Sequence, residues 1–122
     1  MDSQKFERLV GEAIEKLPEA FQERLENIDI VVADAPTRDQ RKTLREKKGE
    51  TLLGLYEGVP LTERTHNYGF VTPDKITIFQ KPIEAMCRND AQIIAEIQRV
   101  VQHEIAHHFG ISDDRLEELG RY

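Results

Sequence analysis

Residues Asp90–Asp113 read DAQIIAEIQRVVQHEIAHHFGISD, and most of what is expected of the chain follows from this stretch. At about 100° of turn per residue, Ile93, Ile94, Ile97, Val100, Val101 and Ile105 fall on one apolar stripe. Gln92, Gln98, Arg99 and Gln102 fall on the opposite face, expected to be wet. The spacing predicts a core-facing helix through Phe109. Gly110 is placed to end it, since glycine enters the left-handed region without a Cβ clash. Glu104 lies inside the apolar stripe, with His103 and His107 along its edge, one turn apart. Burying a carboxylate without a partner costs several kcal/mol, so a purely structural role is expensive, and a cation or a functional cleft removes the conflict.

The five residues His103-Glu104-Ile105-Ala106-His107 form an H-E-x-x-H sequence. Imidazoles one helical turn apart can both reach one divalent ion at about 2.0–2.1 Å, and the intervening carboxylate can meet a water on that ion. A catalytic zinc needs a third protein ligand and keeps one position open. Gly110 lets the chain fold back, and Asp113 three residues later can supply a carboxylate oxygen at about 2.0–2.2 Å. The whole pattern is H-E-x-x-H-x-x-G-x-x-D, with aspartate where metzincins carry histidine. The expected centre is one zinc ion on His103, His107 and Asp113, with Glu104 as general base. Asp114, Glu117 and Glu118 compete with Asp113 for the third place, and helix capping is the plain alternative for either aspartate. Two histidines and a carboxylate also suit iron or cobalt. His108 reads as a packed histidine, or one that supports the ligands from behind, rather than as a ligand itself. Tyr122, Tyr68 and His66 qualify as oxyanion donors by residue type alone.

Upstream, Ser3 is the expected N-cap of a helix carrying Phe6, Leu9, Val10, Ala13, Ile14 and Leu17. Pro18 ends it and opens another with Ala20, Phe21 and Leu25. Ile28–Ala33 is a β-branched run and reads as a buried strand. Ala35–Glu50 is charged and poor in apolar residues, and reads as a mobile surface loop. Thr51–Glu57 is a second expected strand, with Gly54 a bulge. Leu61–Tyr68 is turn-like, and Phe70–Val71 and Lys75–Gln80 suggest a third strand. Pro82 and Ile83 open a helical region running to Phe109, and a short last helix runs from Ser112 or Asp113 to near Gly120. Helices, three strands, then helices argue for an α+β fold, a small sheet packed on long helices.

A 122-residue chain with 39% hydrophobic and 33% charged residues supports one modest core, so a single domain over 1–122 is expected. A net charge of -6 gains nothing from counterion release, which makes nucleic acid a poor partner; Arg38–Lys48 is a local basic exception. Cys87 stands alone, excluding an internal disulfide and any cysteine-based zinc cluster. The first residues lead into an amphipathic pattern rather than an apolar leader, and no run approaches the roughly 18 apolar residues of a membrane span. A reducing, cytoplasmic setting with no membrane association is expected.

The segment His103–Tyr122, HEIAHHFGISDDRLEELGRY, resembles the small bacterial zincin-like metallopeptidases of the Asp-zincin kind. The stretch TLLGLYEGVPLTERTHNYGFVTPDKITIFQKPIE is similar to the same family, so the resemblance covers most of residues 50–122. It implies a minimal zincin-like fold, zinc ligation at positions 103, 107 and 113, and hydrolysis of peptide bonds in a peptide or protein substrate. Zincins hold extended substrate along a sheet edge, and the resemblance offers Lys75–Gln80 for that place; a core strand with Ile76, Ile78 and Phe79 packed inside is the competing reading. Only nine residues follow Asp113, so no methionine turn is expected downstream. That favours a short peptide, an open cleft or a site completed by a second subunit. Two non-enzymatic alternatives stand beside this. One is a metal site closed by a fourth carboxylate from Glu117 or Glu118, the other a protein-interaction domain on a zincin scaffold.

Overall fold

Asp2, one residue ahead of the expected Ser3, caps the first helix: its carboxylate accepts from the Lys5 backbone N–H at 2.7 Å. The structure, a computed structural model, describes residues 1–46, 52–58 and 74–109. Helix α1 (Ser3–Glu15) buries Phe6, Leu9, Val10 and Ala13 at the expected spacing, and α2 (Glu19–Arg24) buries Phe21. Strand β1 (Ile28–Ala33) follows, then helix α3 (Arg38–Glu46), strands β2 (Gly54–Glu57) and β3 (Asp74–Phe79), and helices α4 (Gln80–Met86) and α5 (Asp90–Phe109). The fold is α+β, with a three-stranded mixed sheet and five helices among the described residues.

The sheet order is β1-β3-β2, β1 pairing parallel and β2 antiparallel to β3. The strand expected over Lys75–Gln80 is therefore central, which removes it as a sheet edge; among the described residues the edges are β1 and β2. Burial explains why. Ile76 and Ile78 face the main core while Phe79 faces the opposite side, so both faces of β3 are covered. The main core lies between the sheet and helices α1, α2, α4 and α5. Ile97, Val101 and Ile105 of α5 are fully buried in it, and Ile93 and Val100 nearly so.

Four expectations need correction. Strand β1 is not buried: its residues are intermediate or exposed, Val31 at 36%, because it lies at the side of the sheet. Ala35–Glu50 contains a helix rather than only a loop. Thr37 and Gln40 form a reciprocal capping box, Gln40 N–H to Thr37 Oγ1 at 3.1 Å and Thr37 N–H to Gln40 Oε1 at 2.9 Å. One apolar anchor, Leu44, packs on Leu55 and Phe79 on the far face of the sheet. The helical region from Pro82 is two helices, because Asn89 starts a new one: its Oδ1 accepts from Gln92 N–H at 2.9 Å. Finally, Gln98 and Gln102 are buried, not wet. Helix α1 covers that side of α5, and Gln98 Nε2 donates to the Ala13 carbonyl at 3.2 Å. The expectations for Leu61–Tyr68, Phe70–Val71, Gly110 and the last short helix lie outside the described residues.

Candidate metal centre

The H-E-x-x-H residues occupy the last two turns of α5, which runs along β2. Gly54 and Tyr56 face the helix, while Leu55 turns to the satellite core. A Cβ at Gly54 would run into the Val100 side chain, so glycine here permits close helix–strand approach rather than a bulge. At Gly58 an added Cβ would stand 3.6 Å from His108 Cε1. Eight helical residues from Val100 advance about 12 Å, and four strand residues from Gly54 about 13 Å, so helix and strand stay in step.

Glu104 is 1% exposed, and its Oε1 accepts from the Tyr56 backbone N–H at 2.8 Å. A strand residue's N–H and C=O share one side, so this donor points off the outer edge of β2, away from β3. The carboxylate that the sequence places in an apolar stripe is thus held by the backbone of a sheet edge. His103 is half-buried and His107 exposed, with ring centroids 4.1 Å apart and planes tilted by 42°. The rings stand side by side on one face of the helix. Two imidazoles in this relation, next to an acidic side chain, suit a divalent cation such as zinc.

Among the described residues, no group of three His, Cys, Asp or Glu side chains assembles as a metal-holding cluster. Asp113 lies outside those residues, as do Asp114, Glu117, Glu118, Tyr122, Tyr68 and His66. His108, expected as a packed or supporting histidine, is exposed yet packs through its ring. One face of its ring lies flat on Tyr56, centroids 3.9 Å apart and planes within 10°. The Tyr56 hydroxyl donates to Asp74 Oδ2 at 2.7 Å, and His108 Nε2 lies 3.9 Å from that same oxygen. Neither Tyr56 nor Asp74 was singled out by sequence reasoning. The available signal was the two-residue phase that puts Gly54 and Tyr56 on one side of the strand. Cys87 lies at the far end of α5, before its first turn, and burial, with Glu96 nearby, pushes its thiol up from the usual range.

A histidine pair and a buried glutamate on one helix, laid along an antiparallel edge strand, define the frame of an H-E-x-x-H protein. Residues 25–121 match the model of the zincin-like metallopeptidase family, and the chain belongs to that family. Membership implies a metal and a peptide or protein substrate. No curated protein is significantly similar in sequence. No helix among the described residues is long and apolar enough to cross a membrane.

Proposed function

We propose that the chain, acting as one domain over residues 1–122, is a zinc-dependent metallopeptidase. His103, His107 and Asp113 hold one zinc ion, and Glu104 is the general base. The observation that carries this reading is the pair of imidazoles 4.1 Å apart beside a carboxylate fixed to a strand edge. When bound, zinc would acidify a water and polarise the scissile carbonyl. Glu104 takes the proton from the attacking water and delivers it to the leaving amine. Its hydrogen bond to the Tyr56 N–H limits rotation of the carboxylate, so little orientation is lost when it acts.

One observation favours a second reading. A carboxylate that is 1% exposed and bonded to a strand N–H is also what a simple helix-to-sheet strut looks like. On that reading the chain binds metal or a protein partner without turnover. Substitution Glu104→Gln separates the two, because the amide oxygen can still accept from Tyr56 N–H but the side chain takes up no proton. The variant should retain zinc in elemental analysis and lose hydrolysis across a peptide library. Undiminished hydrolysis would remove Glu104 from the mechanism. Asp113→Ala should weaken zinc binding, and an unchanged affinity transfers the third place to Asp114, Glu117 or Glu118.

A further inference from the structure

Residues 104 and 108 are one turn apart on α5, and both touch Tyr56. The first accepts its backbone N–H at 2.8 Å, the second stacks on its ring at 3.9 Å. Residues 103 and 107 form the adjacent row, displaced by about 100° around the same helix. A single strand residue therefore grips one row of the last two turns at two points. The gripping ring is itself fixed. Its hydroxyl donates to Asp74 Oδ2, Asp74 opens the central strand β3, and Tyr56 is 5% exposed within the core.

We infer that Tyr56, Asp74 and His108 form a clamp that sets the rotation of α5 about its own axis and so aims His103 and His107 at a shared ion. His108 is a positioning residue here, acting through its ring face. The inference rests on the metal-site reading above and adds to it the part that orients the ligands. Helix rotation matters because an imidazole ligand must meet the ion at about 2.0–2.1 Å in a defined direction. Both rings ride on the same helix, so a roll of α5 by tens of degrees would swing the pair together away from the strand edge and from any ion held beside it. Groups that hydrogen-bond directly to a ligand are worth roughly 10–100-fold in metal affinity, and a residue acting through the helix is expected at the low end of that range. The side chain of His108 is 39% exposed, so removing it takes little from the buried core.

The test is zinc affinity, measured by competition with a chromophoric chelator, together with the melting temperature of the metal-free protein. His108→Ala removes the stacked face and should weaken zinc binding by roughly tenfold, with the metal-free melting temperature little changed. His108→Phe restores a flat ring without a nitrogen and should bring affinity back close to the parent. Tyr56→Leu, which keeps apolar volume but offers no flat face, should match the His108→Ala loss. Parent-like affinity in His108→Ala or Tyr56→Leu overturns the clamp. Equal weakening in the Ala and Phe variants also overturns it, since the imidazole nitrogen rather than the stack would then matter. A parent chain that takes up no zinc at all refutes the metal-site reading itself, a result distinct from all of these.

Discussion

A carboxylate inside the apolar stripe of a helix must be held by something, and for Glu104 the holder is a backbone N–H 48 residues away in sequence. The conflict was legible from the 100° count alone; its resolution was not, because nothing local ties Tyr56 to Glu104. The residue-scale consequences differ between two substitutions. Glu104→Ala leaves the Tyr56 N–H with no carboxylate acceptor and should cost about 1–3 kcal/mol in denaturant unfolding of the metal-free protein. Glu104→Gln keeps the acceptor and should unfold close to the parent, while kcat falls by roughly 10²–10⁴-fold. Equal destabilisation in both variants would contradict the hydrogen-bond assignment. His103 and His107 could be paired from their spacing, and the structure sets their rings 4.1 Å apart. The stacking of His108 could not be foreseen, since it depends on which strand the helix lies along.

At the scale of elements, helix α5 and strand β2 depend on the missing side chain at Gly54. Gly54→Ala sets a Cβ against Val100 and should cost about 1–3 kcal/mol, with zinc affinity falling as the end of the helix shifts off Tyr56. Chemical denaturation and a chelator competition on the same sample check both parts. Helix α3 depends on its capping box, so Thr37→Ala should cost about 1 kcal/mol and leave zinc binding untouched. These elements show where sequence patterns stop being informative. The Thr37-x-x-Gln40 signature stands in the sequence, but charge outweighs apolar content from Ala35 to Glu50, and the single anchor Leu44 does not make a stripe. The strand at Asp74–Phe79 reads alike at an edge or in the centre, because strand order arises from pairings between distant segments. Gln98 and Gln102 looked solvated because polarity alone does not reveal burial, which for Gln98 comes from α1 packing against it.

Across the whole molecule, the described core rests on apolar contacts of helices α1, α2, α4 and α5 with one side of the sheet, so the metal-free chain should retain this part of its fold. Zinc should then act as a ligand of the native state. At a free concentration 100 times its dissociation constant it adds about 2.7 kcal/mol, seen as a rise in melting temperature that a chelator reverses. The α+β class was readable from the order of helical and β-branched runs, and the family assignment over residues 25–121 agrees with the motif. The most direct test is a zinc titration by calorimetry, comparing the parent chain with a His103→Ala, His107→Ala double variant. The account predicts one zinc per parent chain and no comparable binding in the variant. Equally tight binding by both, or none by the parent, would contradict it.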